Sequence, residues 1–477
     1  VEQKSPQIQL SNLFKKFSGS APEEIIKLPS SGSYRQYYRL KKSNDCIIGV
    51  YNEDYLENKA FIEFTKHFLG KNLPVPKLLT GDIENNVYLL QDLGDTSLLS
   101  FLFENDFPDK VSAKVLDVYK KVLTILPYFQ IEGGEGLNFE LCYPRHAFDR
   151  QSMMWDLNYF KYYFLKLAKV PFNEQSLEND FNTLIDFLLQ ADCHYFMYRD
   201  FQSRNIMLFN GDPYFIDYQG GRQGALHYDI ASILFEAKTR LPAGVREELL
   251  DFYLAELNKH VNLSRSAFFM HYYGYAYIRL MQAMGAYGFR GLYERKELFL
   301  ESISPALNNL EWLLDNVDLQ IKLPELTKVW NYLCDSEYIR QLGKKHLLLK
   351  ININSFSYRR GIPTDDHANG GGFVFDCRSI HNPGRYEEYK QLTGKDAEVQ
   401  KFLDNEPEME QFIEHVFALV NQSINKYISK GFTNLMINFG CTGGQHRSVY
   451  SAERLYKYLM NGKRSNELEI TLRHRDL

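Results

Sequence analysis

Three polar residues stand at spacings that could serve one reaction: Asp200, Asn205 five positions later and Asp217 seventeen positions after Asp200. They lie in Tyr198-Arg199-Asp200-Phe201-Gln202-Ser203-Arg204-Asn205-Ile206-Met207 and in Tyr214-Phe215-Ile216-Asp217-Tyr218-Gln219. Transfer of a phosphoryl group from ATP asks for few protein groups: a carboxylate to orient and deprotonate the acceptor hydroxyl, and oxygen ligands for the Mg2+ that bridges the phosphates. Asp200 suits the first task, Asn205 and Asp217 the second. The loop spacing lets Asp200 and Asn205 face one site, and an intervening strand pair brings Asp217 back beside them. A polar turn between strands would use the same residue types for turn propensity alone.

A second constellation lies near the C-terminus. Asn434 to Phe439 reads as a buried strand that runs into Gly440-Cys441-Thr442-Gly443-Gly444-Gln445-His446-Arg447-Ser448 and then a helix from Val449 to Met460. A glycine loop that opens a helix aims N–H groups and the positive end of the helix dipole at one point, which suits an anion. His446 and Arg447 add charge there. Cys441 and Arg447 also have the C-x-x-G-x-x-R-S spacing in which a thiolate attacks phosphorus while Arg holds its oxygens. Against that reading, Gly440 precedes the cysteine where cysteine phosphatases have His, and no separate acid loop stands out.

The elements that must position these residues follow from periodicity. Tyr34 to Lys41, Cys46 to Tyr51 and Val87 to Gln91 alternate as strands, and Glu57 to Leu69 as a helix, which predicts a small strand-rich lobe over 1–93. Helical spacing dominates afterwards, in Leu157 to Ala168, Leu177 to Gln190 and Glu247 to His260, with short strands at Tyr195 to Met197, Ile206 to Leu208 and Tyr214 to Ile216. A large helical lobe over 94–326 makes the first part a bilobal α+β arrangement. Between Thr327 and Lys345 the texture turns from helix-patterned and aromatic-rich to strand and glycine-loop alternation. That change predicts a linker at 327–344 and a separate α/β domain at 345–477. Charge shifts with it: residues 340–477 hold 20 Lys+Arg and 16 Asp+Glu, so +4, and the remainder of the net −5 is −9.

With the Asp200 to Asp217 motifs the chain resembles the aminoglycoside and choline phosphotransferases, whose fold is protein-kinase-like. The resemblance implies that Asp200 is the catalytic base, Asn205 a metal ligand and Asp217 the main Mg2+ ligand. Asp229, in His227-Tyr228-Asp229-Ile230-Ala231-Ser232, would be a buried structural carboxylate. Ser31, Gly32 and Ser33, in the turn before Arg35, would cover ATP phosphates with backbone N–H groups, and Gln91 and Leu93 would sit at the hinge that meets adenine. One departure stands out. Protein kinases carry a Lys on the third strand, paired to a helix Glu, to hold the phosphates, and Cys46-Ile47-Ile48-Gly49-Val50-Tyr51 has none. Arg35 or Arg39 would have to substitute, with Glu57 or Glu63 as partner.

The run from Arg35 to Arg39, the Leu89 to Asp95 hinge, Arg199 to Asn205 and Arg279-Leu280-Met281-Gln282-Ala283-Met284-Gly285 further resemble the anomeric kinases of N-acetylmuramate and N-acetylglucosamine, over roughly 10–315. That resemblance implies an amino-sugar acceptor phosphorylated at C1, in cell-wall recycling. Asp149, Arg150, Gln202, Arg204 and Arg279 are the candidate acceptor contacts, because a hydroxyl-rich acceptor needs hydrogen-bond partners and a carboxylate favours Arg. Surface ion pairs or helix packing are the alternative for each.

The last part resembles the C-terminal domain of the RapZ family of RNase adapter proteins. The matching stretches are Ile351 to Tyr358, Phe375-Asp376-Cys377-Arg378-Ser379-Ile380-His381-Asn382-Pro383, Leu392-Thr393-Gly394, Cys441 to Ser448 and Arg473-His474-Arg475. In that family the domain binds an amino-sugar metabolite and RNA. The resemblance implies a sugar-phosphate pocket lined by Arg378, His381, Asn382, Arg447 and His474 with Cys441, Gly443, Gly444, Gln445, His446 and Ser448. The kinase region stands in place of that family's nucleotide-binding domain, so adapter activity is not carried over. Lys463, Arg464, Arg473 and Arg475 form a basic patch, but an excess of four charges is weak for nucleic acid, and RNA remains a minor alternative.

Composition bounds these readings. In 477 residues, 44% hydrophobic and 24% charged content excludes a disordered or collagen-like chain. Six cysteines without a C-x-x-C pair exclude a disulfide framework or zinc site and fit free thiols in a reducing compartment. No run approaches the roughly 18 apolar residues of a membrane helix, and Val1 to Phe14 lacks a signal-peptide core, so a cytoplasmic location and no membrane partner are expected. The sequence thus predicts a protein-kinase-like domain using ATP and Mg2+ on an amino sugar, followed by an α/β domain that binds a sugar phosphate. A non-catalytic amino-sugar or RNA sensor, and a kinase fused to a cysteine phosphatase, are the competing readings.

Overall fold

Leu10, Leu13 and Phe14 recur at helical spacing in the first helix, Pro6–Ser18. Pro occupies its first turn, where no N–H is missed, and Gly19 ends it at φ +83°. The apolar stripe packs on Tyr38, Leu40, Tyr51, Val87 and Leu89, which belong to a five-stranded antiparallel sheet. Its strands are β1 (Glu24–Lys27), β2 (Gln36–Lys42), β3 (Asp45–Tyr51), β4 (Leu78–Asp82) and β5 (Val87–Gln91), in the order β1-β2-β3-β5-β4. These features come from a computed structural model that describes residues 5–29, 35–43, 45–342, 348–364, 372–429, 432, 434–462 and 467–477.

The helix Tyr55–Gly70 follows β3. The Asp54 side chain caps it by accepting the Glu57 N–H at 3.0 Å, and its buried Phe61, Phe64 and Phe68 share one face. Phe61 stacks on Tyr88 of β5 and on Tyr218, at 5.1 and 5.2 Å between ring centroids. From Leu98 to Arg340 helices dominate the described residues. Two short antiparallel pairs interrupt them: β6 (Tyr195–Met197) pairs with β9 (Arg222–Gly224), and β7 (Ile206–Phe209) with β8 (Asp212–Phe215). The β7–β8 hairpin spans the gap between Asn205 and Asp217. A strand-rich lobe followed by a helical one is the bilobal α+β arrangement expected of a protein-kinase-like chain.

Residues 327–344 were expected as a linker, and their described part carries the helices Pro324–Asp335 and Glu337–Leu342. Asp180, on the helix Glu174–Leu188, accepts the N–H groups of Glu325 and Leu326 at 2.7 and 2.8 Å, and Glu325 accepts the Asn173 N–H at 2.7 Å. Trp330 stacks on Tyr277 at 4.3 Å. Packing divides the chain into one unit that runs to Phe289 and resumes at Ser302–Arg340, and a second made of Arg290–Glu301 and Gln341–Leu477.

In the second unit β10 (Leu349–Ser357), β11 (Phe373–Asp376), β12 (Asn434–Cys441) and β13 (Leu468–His474) form an all-parallel sheet in the order β11-β12-β10-β13. Ile351, Ile353, Leu435, Ile437 and Phe439 of this sheet join Val416 and Val420 of the helix Pro407–Ser429 and Leu455 and Leu459 of the helix Arg447–Met460 in one core. No described helix is long and apolar enough to cross a membrane.

Candidate active site

The loop that bears Asp200 is held from beneath by two carboxylates. Asp229 is fully buried and accepts the backbone N–H groups of Tyr198 at 2.8 Å and Arg199 at 2.9 Å, with the Gln130 amide at 3.3 Å. Burial pushes its carboxyl up to about 7 against the pull of those donors. Asp156, on the helix Arg150–Phe160, takes the Arg199 guanidinium through two contacts of 2.6 and 2.7 Å. The same guanidinium donates to the Tyr228 hydroxyl at 2.6 Å and lies 5.1 Å from the Phe148 ring centroid. So anchored, Arg199 adopts φ +77°, which a non-glycine residue seldom takes, and presents Asp200 one step on. Burial and the neighbouring Asp217 carboxylate raise the Asp200 pKa, while Arg199, Arg279 and Arg204 oppose the rise.

The three residues singled out by spacing come together. Asn205 donates its side-chain N–H to the Asp200 carbonyl at 2.8 Å and to Asp217 Oδ2 at 3.4 Å. Asp217, at φ +68°, accepts from the Gln219 amide at 2.7 Å and from Arg35 at 3.3 Å. Gly220 passes so close that a Cβ there would lie 3.4 Å from Asp200 Oδ2. No cluster of three or more His, Cys, Asp and Glu is gathered among the described residues. Mg2+ asks for less, one or two carboxylates with the rest from water and phosphate, and the oxygens of Asn205 and Asp217 fit that requirement.

Two cations of the strand-rich lobe have different roles. Arg39 joins β2 to the hinge through Asp92 at 2.5 Å and Asp95 at 2.8 Å. Arg35, only 1% exposed at its side chain, bridges Glu57 at 2.6 Å and Asp217 at 3.3 Å. Of the expected nucleotide contacts, Gln91 ends β5 with its N–H donated to the Lys77 carbonyl at 2.9 Å, and Leu93 is buried just beyond. Ser31, Gly32 and Ser33 lie outside the described residues.

The acceptor candidates separate. Arg279 is buried and fixed by the Ser232 hydroxyl at 2.9 Å and the Gln282 side-chain oxygen at 2.6 Å, and Arg204 stands exposed after Gln202 and Ser203. Both act electrostatically on Asp200 and on the buried Glu236, which accepts the Ser203 N–H at 2.8 Å. Gln202 is half-buried one position before. Asp149 caps the helix Arg150–Phe160, accepting the Ser152 N–H at 2.9 Å, and also pairs with Arg145. Arg150 is half exposed and pairs with Asp186, which is the surface ion pair weighed for it above. Sequence reasoning missed Asp156, on the helix Arg150–Phe160, and Glu236, just past the end of the helix His227–Leu234; a lone carboxylate in an apolar stretch is the local signal for each.

In the second unit the glycine loop between β12 and the helix Arg447–Met460 is braced at nearly every side chain. Gln445 donates to the carbonyls of Lys390 and Leu392 at 3.0 and 2.7 Å, His446 meets the Tyr389 carbonyl at 2.9 Å, and buried Arg447 donates to the carbonyls of Arg378 and Ile380 at 3.0 and 2.7 Å. The Cys441 thiol lies 3.1 Å from the Ser448 hydroxyl and accepts the Gly444 N–H at 3.2 Å. Gly444 has φ +75°, and a Cβ there would stand 2.9 Å from the Ser357 nitrogen, whereas nothing lies within 4 Å of one at Gly443. His474 links Ser355 and Glu453 at 2.8 and 3.1 Å. Arg378 lies exposed over the Tyr358 ring at 4.0 Å and pairs with Asp376, His381 pairs with Glu406 at 3.1 Å, and Asn382 accepts the Gly384 N–H at 3.2 Å. Of the basic patch, Lys463 and Arg464 lie outside the described residues, and Arg475 donates to the carbonyls of Arg360 and Gly361.

Comparison with known proteins matches residues 349–477 to the RapZ C-terminal domain. A nucleotide-binding protein of Shewanella halifaxensis is 31% identical over 252 residues, 52% of this chain and 76% of that protein. A nucleotide-binding protein of Endomicrobium trichonymphae is 36% identical over 165 residues, 35% of this chain, and the chain spans about half (52%) of that relative's length. Among solved structures, choline kinase from Cryptosporidium parvum matches 65% of this chain and 93% of its own at a TM-score of 0.44 and 12% identity.

Proposed function

We propose that this chain, which belongs to the family of nucleotide-binding proteins sharing the RapZ C-terminal domain, is an ATP- and Mg2+-dependent kinase that phosphorylates an amino sugar of the N-acetylmuramate or N-acetylglucosamine type at its anomeric hydroxyl. The observation that carries the reading is the gathering of Asp200, Asn205 and Asp217 around two short contacts, 2.8 Å to the Asp200 carbonyl and 3.4 Å to Asp217. Asp200 is the base that takes the acceptor proton, and its raised pKa makes it the stronger proton acceptor. Asn205 and Asp217 would hold the metal, which would offset the charge that develops on the phosphates. Arg204 and Arg279, on the acceptor side, orient the sugar and limit the self-repulsion of the carboxylates. Asp229 and Asp156 keep the Asp200 loop in place.

The second unit binds a sugar phosphate and regulates the kinase, with Arg378, His381 and the exposed rim of the glycine loop as its contacts. A cysteine phosphatase is disfavoured, because Arg447 is spent on two backbone carbonyls and the Cys441 thiol on Ser448 and Gly444. The test is ADP release with Mg-ATP over N-acetylglucosamine, N-acetylmuramate, glucosamine, choline and an aminoglycoside, beside Asp200→Asn. Turnover on an amino sugar, lost in the variant, is expected. Silence on every acceptor together with no binding of Mg-ATP rejects the kinase and leaves the sensor.

A further inference from the structure

The third strand, β3, has no cation to hold the nucleotide's phosphates, yet a kinase site needs one beside its metal ligands. We infer that Arg35 is the phosphate clamp of this protein, reaching the site from the start of β2 instead of from β3. The inference rests on the kinase reading above and deepens it. Arg35 directly precedes Gln36, which pairs with Tyr51 at the end of β3, so the guanidinium starts from the strand next to the expected one and at the same end of the sheet. It lies 2.6 Å from Glu57 on the helix Tyr55–Gly70 and 3.3 Å from Asp217. A guanidinium 3.3 Å from the carboxylate that would hold the metal stands where it could also donate to the nucleotide's phosphate oxygens.

The neighbouring cations are committed elsewhere. Arg39 is held by Asp92 and Asp95, Lys41 pairs with Glu24 at 3.1 Å, and Lys42 donates to the Ser18 carbonyl at 3.2 Å. An arginine guanidinium keeps its proton at any working pH, so the cation is permanent. Arg rather than Lys follows from the geometry: a planar fork can face two carboxylates on different elements, whereas an ammonium is a single point. The pairing also ties nucleotide binding to a helix. Glu57 is itself held by the Asn52 amide at 2.8 Å, and the same helix meets the metal loop where Thr65 and Tyr218 share a hydrogen bond of 2.5 Å.

The experiment measures affinities of Mg-ADP and of adenosine by competition calorimetry on the full chain, in wild type, Arg35→Ala, Arg35→Lys, Glu57→Gln and the Arg35→Ala/Glu57→Gln pair. Arg35→Ala is expected to weaken Mg-ADP by about ten- to a hundredfold, the worth of a charge-assisted hydrogen bond, and adenosine by less than about threefold. Arg35→Lys recovers only part of the loss. Glu57→Gln weakens Mg-ADP several-fold alone and adds nothing in the Arg35→Ala background, because it acts through Arg35. The clamp is overturned if Arg35→Ala binds Mg-ADP within about threefold of wild type, or if it loses adenosine equally, which marks a merely structural role. Should Arg35→Ala fail to fold, the Arg35→Lys and Glu57→Gln ratios of ADP to adenosine affinity decide alone. Wild-type protein that binds neither ligand overturns the kinase reading itself, a result distinct from a wild type that binds both while its variants do not change.

Discussion

Replacing Asp156 with Ala removes the carboxylate hydrogen-bonded to the Arg199 guanidinium, with Asp156 and Arg199 10% and 14% exposed. Breaking a buried pair by deleting one partner costs about 3–5 kcal/mol, because the other charge stays behind unpaired. Arg199 would keep the Tyr228 hydroxyl at 2.6 Å and the faces of Phe148 and Tyr228 at 5.1 Å, contacts worth about 0.5–2 kcal/mol, so the lower end, about 3 kcal/mol, is expected. All three tryptophans, Trp155, Trp312 and Trp330, lie in the first unit, so urea unfolding followed by tryptophan fluorescence reports that unit alone. With a urea slope of about 3 kcal/mol per molar, the midpoint should fall by about 1 M. Activity should fall further than stability explains. Arg199 adjoins Asp200 at φ +77°, and a base displaced by about 1 Å can lose about a hundredfold in kcat. An Asp156→Leu/Arg199→Met pair should recover stability, since no charge is left buried, but not kcat. A midpoint shift below about 0.2 M, or a fully active double variant, would refute the argument that this pair positions the Asp200 loop.

Asp200→Asn should lower kcat by about a thousandfold while the affinity for Mg-ADP stays within about threefold; an equal loss in both would show a binding role rather than a base. Because the Asp200 pKa is raised, activity should fall on the acid side at a pH above the ordinary aspartate value of about 3.9, and a limb at or below that value contradicts the assignment. Asp229, pushed up to about 7, favours the folded state fully below its unfolded value and loses that contribution as pH rises through about 7. The urea midpoint of the first unit should therefore drop between pH 5.5 and 8 by more in wild type than in Asp229→Asn, and parallel profiles would be inconsistent with it. Arg447→Ala removes both carbonyl contacts, which a single guanidinium nitrogen makes, so hydrogen exchange at residues 376–382 should quicken; unchanged protection would mean that Arg447 does not brace that segment.

What the sequence made legible was the chemistry that needs fixed residue types at short range. Asp200, Asn205 and Asp217 are bound to one loop and one hairpin, and no long-range packing is needed to bring them together. Asp229 was readable only through the resemblance to the phosphotransferases, from its place after the metal loop, since its partners Tyr198 and Arg199 lie 31 and 30 residues away. Arg35 and Arg39 were not separable, because residues an even number apart point to the same side of a strand. Only the sheet and hinge show that Arg39 turns to Asp92 and Asp95 while Arg35 turns to Glu57 and Asp217. Asp156 and Glu236 stayed hidden because their partners are 43 and 33 residues away, on other elements. The glycine loop of the second unit was legible as a strand-to-helix turn, yet spacing aimed Arg447 at an anion. Packing aims it at two carbonyls instead, since a long guanidinium at a helix start can satisfy backbone acceptors of a neighbouring segment.

The backbone itself marks where this chain is held against its preferences. Arg199 and Asp217 both sit at positive φ, +77° and +68°, and neither is glycine. Each such residue costs on the order of 1 kcal/mol or more and persists only if its surroundings over-determine it. At Arg199 the surroundings are Asp229 on the backbone N–H and Asp156 on the guanidinium; at Asp217 they are Gln219, Arg35 and Asn205 on the carboxylate. Glycine at either position would relieve the strain but would also remove the side chain that makes the contacts. The strain therefore lies in the two turns that present Asp200 and Asp217, each held by its own set of partners. Substitutions that merely loosen these turns, without touching either carboxylate, should lower kcat more than they lower stability.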